Sequence, residues 1–226
     1  MPTSGRVGQR RYDAVIFDYG GVITTSPFEA FNRFEAERGL PQDFIRRVNA
    51  ADPDGNAWAR LERSEIDRAA FDTLFAEEAA RFGHAVGGAD VLALLGGAIR
   101  SEMVAELDRL RAQGYRLGCI TNNMRGARGP AMAANDAAAR AHAGVFARFD
   151  HVIESRTAGV RKPDPRIYRM MCEALGVPAE RCVYLDDLGV NCKPAAMLGM
   201  CAIKVGGAEQ ALRDLGAALA ECAPAA

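Results

Sequence analysis

The sequence predicts an α/β fold: an open parallel sheet with helices on both faces, interrupted by an inserted helical subdomain. Three observations carry this. Short apolar runs recur along the chain, separated by helical patterns or turn residues, which is the alternation that a parallel sheet produces. The segment from about Ser26 to Ile99 holds several amphipathic helical stretches and no strand pattern, more than one crossover between neighbouring strands needs. Finally, 226 residues with 49% hydrophobic and 25% charged lie near the globular average, enough for one buried core with one substantial insertion.

The first dozen residues, Met1 to Tyr12, are polar and basic and read as a frayed start. Ala14-Val15-Ile16-Phe17 is then a buried strand, ended by Asp18 and a Gly20-Gly21 turn. Helical patterns follow over Pro27–Arg38, Gln42–Asn49, Ile66–Phe82 and Ala89–Gly96, with Asp52-Pro53-Asp54-Gly55-Asn56 as a loop among them. Strands are predicted again at Arg116–Ile120, His151–Ile153, Cys182–Leu185 and Cys201–Val205. Between them, alanine-rich Ala131–Ala141 favours a helix. Pro165–Leu175 fits a helix closing at Gly176, and Pro194–Gly199 one that closes at its glycine. Glu209–Cys222 reads as a surface helix. These elements divide the chain into a core of residues 1–25 and 100–226 and an insertion of residues 26–99.

Lys plus Arg numbers 28 against 29 for Asp plus Glu, a formal charge of −1. That excludes the strong overall field of a protein that holds nucleic acid or an anionic membrane, and leaves room for a local anion site. Six cysteines, Cys119, Cys172, Cys182, Cys192, Cys201 and Cys222, include no Cys-x-x-Cys pair, so neither a disulfide framework nor a zinc site is expected. With no apolar leader and no run near the roughly 18 apolar residues of a membrane span, the expected location is the cytoplasm. No oligomeric contact is read from the sequence.

Ligands of open parallel sheets collect at the carboxyl ends of the strands. Four of the five runs lead there to something chemically useful: Asp18, then Thr121-Asn122-Asn123, then Lys162 by way of a loop, then Asp186-Asp187. A carboxylate attacks phosphorus only if the repulsion between two anions is offset by a cation and hydrogen-bond donors. Asp18, Asp186 and Asp187 together would repel one another unless a metal or Lys162 sits among them, and Mg²⁺ suits an all-oxygen set. Thr121 and the backbone amides after it can cradle phosphoryl oxygens.

Asp18-Tyr19-Gly20-Gly21-Val22-Ile23, Ile120-Thr121-Asn122-Asn123, Gly159-Val160-Arg161-Lys162-Pro163-Asp164-Pro165 and Tyr184-Leu185-Asp186-Asp187-Leu188-Gly189-Val190-Asn191 resemble the four ordered motifs of the haloacid dehalogenase superfamily. Phe149–Ile203 is similar to the N-terminal phosphatase domain of soluble epoxide hydrolase and its bacterial relatives. The resemblance implies a Rossmann-like core with a helical cap, and a Mg²⁺-dependent phosphatase acting on a small phosphorylated metabolite. It implies Asp18 as nucleophile, Thr121 and Asn122 as phosphoryl ligands with Asn123 beside them, and Lys162 as the residue that steadies a phosphoaspartate. Asp187 would ligate Mg²⁺ with Asp18 and the Gly20 carbonyl, Asp186 directly or through water, and Asn191 would orient the metal loop.

The sequence departs from that family at Gly20, where phosphatases carry a second aspartate as general acid and base. General acid–base help is worth roughly 10²–10⁴-fold, so turnover of alkoxide leaving groups should be slow. Thr24 and Thr25 offer only hydroxyls in its place. Two alternatives therefore stay open: a metal-independent 2-haloacid dehalogenase, and a phosphoryl-ligand binding protein without turnover. Trp58 either faces the substrate, with Arg60 pairing an anion, or packs inside the cap. Arg125 and Arg128 are either solvated or meet substrate. His84, His142 and His151 fall in no ligand spacing and read as structural.

Overall fold

A computed structural model of the chain describes residues 10–63, 65–123 and 136–220. Its centre is a five-stranded sheet of β1 (Ala14–Phe17), β2 (Arg116–Thr121), β3 (His151–Glu154), β4 (Cys182–Asp186) and β5 (Cys201–Lys204). The order is β3-β2-β1-β4-β5, every pair parallel. β1 is therefore central, flanked in register by Leu117 of β2 and Val183 of β4 at Val15. Its four residues are wholly buried and alternate between two clusters: Val15 and Phe17 in one, Ala14 and Ile16 in the other. A strand covered on both faces must be apolar at every position, which is why the sequence shows a continuous run.

Helix α6 (Ser101–Ala112) and α11 (Ala208–Ala220) cover one face through Met103, Leu107, Leu110 and Leu215. Helices α9 (Pro165–Leu175) and α10 (Gly189–Met197) cover the other through Ile167, Tyr168, Met171 and Ala195. The remaining core helices are α7 (Asp136–Phe146) and the single turn α8 (Ser155–Ala158).

Between β1 and α6 lies the helical cap: α1 (Pro27–Glu37), α2 (Phe44–Ala51), α3 (Ala57–Glu62), α4 (Arg68–Arg81) and α5 (Gly88–Ala93). It has its own apolar cluster, built on Phe31, Phe44, Phe71, Phe75 and Val91, with no residue from the sheet. The chain leaves and rejoins the core side by side, where Thr24 and Ile99 form an isolated antiparallel bridge. Thr25 N donates to Ala98 O at 2.8 Å and Arg100 N to Ile23 O at 2.9 Å.

Several expectations are corrected. The cap has one helix more than predicted: α3 starts where the Asn56 side chain accepts from Ala59 N at 2.7 Å, directly after the expected loop. Pro194 does not open a helix but stands inside α10, which begins five residues earlier at Gly189. The usual preference of proline for a first turn concealed that start. Tyr12 is buried in the core rather than part of a loose start. Residues 1–9, Arg125, Arg128, Cys222 and the first half of the expected Ala131–Ala141 helix lie outside the described residues, and α7 continues beyond Ala141 to Phe146.

Within the cap, one buried acid does the work of a helix cap at long range. Asp43 precedes α2 in a left-handed conformation and makes no side-chain cap bond. Instead Glu35, 1% exposed, accepts from Asp43 N at 2.8 Å and Ile45 N at 2.9 Å, satisfying donors that every helix start leaves open. Glu35→Ala should lower the unfolding free energy by about 2–4 kcal/mol in urea titrations, since two buried N–H groups lose their acceptor. Glu35→Gln, which keeps an acceptor oxygen, should lose less.

Candidate active site

The parallel strands bring their carboxyl ends to one edge. Asp18 follows β1, Thr121 ends β2, Asp186 ends β4 and Asp187 follows it. Lys162 reaches the same edge from the loop between α8 and α9. Its Nζ lies 2.7 Å from Asp18 Oδ1 and 2.8 Å from Asp186 Oδ2, and the residue is only 2% exposed. Burial disfavours the ammonium, but the two carboxylates outweigh it and hold the Lys162 pKa above its ordinary value.

Asp18 Oδ1 also accepts from Tyr19 N at 2.6 Å. With both bonds on Oδ1, Oδ2 is left for chemistry. Asp186 is wholly buried and saturated: Oδ1 accepts from Leu188 N at 2.8 Å and Asn191 Nδ2 at 3.0 Å, and Oδ2 from Lys162 and the Tyr184 hydroxyl. Asn191 thus holds Asp186 from the first turn of α10, not from a loop. Asp187 is half-buried, and its Oδ2 accepts from Ser26 Oγ at 3.2 Å. Ser26 is the N-cap of α1, so the cap's first helix touches the acidic cluster directly.

Asp18, Asp186 and Asp187 each offer an oxygen, all within 4.8 Å of one another. Burial, together with the neighbouring carboxylates and against Lys162, pushes Asp18 up to about 7. Burial and Asp186 push Asp187 up to about 6, opposed by Ser26 and Lys162. Three acids that offer oxygen donors alone, with a single ammonium paired to two of them, fit a hard divalent cation. The turn after Asp18 is shaped around this cluster. Gly21 has φ +78°, and a Cβ on it would lie 2.1 Å from Asp187 Oδ2, so only glycine fits. At Gly20 a Cβ would meet nothing within 4 Å.

A cavity of about 390 Å³ opens over Asp18, Gly20, Thr121, Lys162 and Asp187, and reaches the cap at Phe28, Phe31, Trp58 and Leu95. Trp58 lines the cavity and also packs within the cap, edge-on to Phe71 with ring centroids 5.9 Å apart. Thr121 and Asn122 line it as well, while Asn123 and Arg60 do not. The Asn122 side chain clamps the Lys162 backbone, donating to its carbonyl at 3.0 Å and accepting from its N–H at 2.9 Å. Asn123 does not line the cavity, because its amide donates to Glu154 at 2.6 Å. Arg60 does not line it either: on the short α3 helix Trp58 and Glu62 take the positions that face it. Besides Lys162, the cation that lines it is Arg161, 2.6 Å from Glu62, which the sequence reading missed although it adjoins Lys162. Ser26 was also missed, although Ser26-x-x-Glu29 is a helix-start signature. His142 is structural, its Nδ1 2.7 Å from the Tyr19 hydroxyl in the core.

Residues 12–199 match the model of the haloacid dehalogenase-like hydrolases. The chain belongs to that family. A mouse protein named acyl-CoA dehydrogenase family member 10 is 31% identical over 221 residues, covering 94% of this chain and 20% of its own length. The bifunctional epoxide hydrolase 2 of the pig is 28% identical over 219 residues, covering 89% of this chain and 38% of its own. The chain thus spans well under half the length of these relatives. A phosphatase of Mycobacterium tuberculosis is 31% identical over 99 residues, 44% of this chain and 42% of its own. Among solved folds, a haloacid dehalogenase family enzyme of Bacteroides thetaiotaomicron, in complex with magnesium and inorganic phosphate, has a TM-score of 0.56 at 18% identity, covering 89% of this chain and 98% of its own. The L-2-haloacid dehalogenase of Xanthobacter autotrophicus has a TM-score of 0.59 at 20% identity, covering 94% and 85%. This haloacid dehalogenase-like hydrolase is an enzyme by family, and no helix among the described residues is long and apolar enough to cross a membrane.

The central ammonium gives a pH-dependent prediction. Lys162→Met leaves Asp18 and Asp186 buried without their cation, and removing the ammonium that opposes the upward shift of Asp18 raises its folded-state pKa further above the unfolded one. An acid so shifted costs nothing below its unfolded value near 4 and destabilises progressively as pH rises through the folded value. The variant should therefore lose about 3–5 kcal/mol at pH 8 and much less near pH 4.5, read by denaturant unfolding at both.

Proposed function

We propose that this hydrolase is a Mg²⁺-dependent phosphatase that acts on a small phosphorylated metabolite through an aspartyl-phosphate at Asp18. The observation that carries the reading is the single buried ammonium of Lys162 placed between Asp18 and Asp186, with Asp187 on the open side of the same cluster. Asp18, Asp187 and the Gly20 carbonyl are the groups suited to hold Mg²⁺, with Asp186 behind them. When bound, the ion offsets the negative charge of a carboxylate facing a phosphate.

Asp18 Oδ2 attacks phosphorus, the bond to the leaving oxygen breaks, and the phosphoryl group rests on Asp18. Lys162 stays charged and pins Oδ1, so the attacking oxygen is fixed in direction. In this reading the Thr121 hydroxyl and the Asn122 backbone N–H hold phosphoryl oxygens, which is supported by both residues lining the cavity beside Asp18, while the Asn122 side chain keeps the Lys162 loop in register. Water then hydrolyses the acyl phosphate, releasing phosphate and restoring Asp18. The cap over the cavity limits water during the first step. No carboxyl stands at Gly20 to protonate the leaving oxygen, so leaving groups that depart as stable anions are favoured.

That missing acid is the feature favouring the second reading, a 2-haloacid dehalogenase, in which Asp18 displaces halide without metal. The wholly buried, fully bonded Asp186 and the acidic partner Asp187 weigh for the phosphatase. With an aryl phosphate, phosphate release should require Mg²⁺ and vanish in Asp18→Asn. Chloride release from a 2-chloro acid without metal would establish the dehalogenase instead, and phosphate binding without either release a non-catalytic protein.

Gly20 offers a second test. Its φ is −71°, which any residue adopts, and a Cβ there has open space. Gly20→Asp should therefore fold normally and raise kcat for alkyl phosphates by about 10–100-fold, short of the full range for acid–base help. The gain for aryl phosphates should be smaller. An equal kcat for both substrates in variant and parent would show that proton transfer does not limit the rate.

A further inference from the structure

The Glu62–Arg161 pair stands where the catalytic cavity meets a second one. Both residues line both cavities. The second, about 290 Å³, lies on the seam between cap and core, with Arg63 contributed by the cap and Arg156 by α8. Each guanidinium has a glutamate beside it: Arg63 Nε is 2.6 Å from Glu65, Arg156 Nε 2.7 Å from Glu154, and Arg161 Nη1 2.6 Å from Glu62. Of those acids only Glu62 lines the cavities, so three cations meet one anion on this wall. The rest of the cap wall over the catalytic cavity is apolar, formed by Phe28, Phe31, Trp58 and Leu95. Among the described lining residues, a ligand there meets charge at two places: the Asp18–Lys162–Asp187 cluster and the Glu62–Arg161 pair.

We infer that Arg161, backed by Arg63 and Arg156, is a second anion subsite, which receives a carboxylate or second phosphate on the same substrate whose ester phosphate lies at Asp18. This substrate class rests on the phosphatase reading for its ester end. The Glu62 carboxylate already occupies the position on Arg161 that such a group takes. Guanidinium binds either anion through paired N–H donors, so exchanging Glu62 for a ligand's acid keeps Arg161 paired and releases Glu62 toward water. The apolar wall between the two charged places takes the body of the molecule, which makes the preferred substrate a phosphate ester with a compact apolar middle and an acid at its far end.

Trp58 is the only tryptophan of the chain and lines the catalytic cavity, so its fluorescence reads occupancy without turnover. The full chain would be titrated with phenylphosphonate, with 3- and 4-carboxyphenylphosphonate, and with phenylphosphonate in the presence of benzoate. At least one carboxylated ligand should bind tenfold or more tighter than phenylphosphonate. Arg161→Gln should bring that ratio close to one, and Glu62→Gln should widen it by removing the competing carboxylate. Equal affinities in both the parent and Glu62→Gln, or no response to any phosphonate at millimolar concentration, would overturn the subsite. Tighter phenylphosphonate binding caused by benzoate would overturn the assignment to substrate and identify a free-anion site. Failure of the phosphatase reading is visible separately, as retained preference for the carboxylated ligand with no phosphate release from phenyl phosphate.

Discussion

One ammonium among three acids sets the terms for the whole carboxyl edge of the sheet. Lys162 is as buried as a core leucine, and it is tolerable there only because Asp18 and Asp186 lie within 2.8 Å of it. Each partner is in turn held by groups with little freedom: Asp18 by the backbone leaving β1, Asp186 by Tyr184, Leu188 and Asn191. The Asn122 amide fixes the loop that delivers the lysine. Four segments far apart in sequence thus converge on one charge, and the parallel sheet is the scaffold that lets them.

How much of this could be read from residues alone follows from where the information lies. A strand buried on both faces is an apolar run, and a charged residue that ends such a run stands out, so Asp18, Asp186 and Asp187 could be gathered from the sequence; Lys162, in a loop beyond the third run, was legible only through its Lys162-Pro163-Asp164-Pro165 motif. The direction of a side chain just past a strand end leaves no such trace. Asn122 and Asn123 look equivalent in the sequence, yet one clamps the lysine loop and the other turns to Glu154. Arg60 beside Trp58 suggests a partner for an anion and Arg161 draws no notice, yet the pitch of α3 turns Trp58 and Glu62 to the cavity instead of Arg60, and Arg161 lines it from the lysine loop.

The fold shows the same division. The strands and most helices were legible because their periodicity is local. The start of α10 was not, because Gly189-Val190-Asn191 reads as loop and Pro194 as a beginning, while tertiary contacts of Asn191 with Asp186 favour helix five residues earlier. The role of Glu35 was likewise hidden: an acid on an amphipathic helix normally points to water, and nothing in its neighbourhood announces that it caps the next helix.

The paired departure and return of the chain at Thr24 and Ile99 makes the cap a cassette. Its apolar cluster draws nothing from the sheet, and its two ends are neighbours, so joining them by a few residues closes only a short loop at small entropic cost. The helical insertion can therefore be exchanged or remodelled as a unit, while the four segments that assemble the charge at Lys162 remain untouched, and a laboratory graft between relatives can use the same seam.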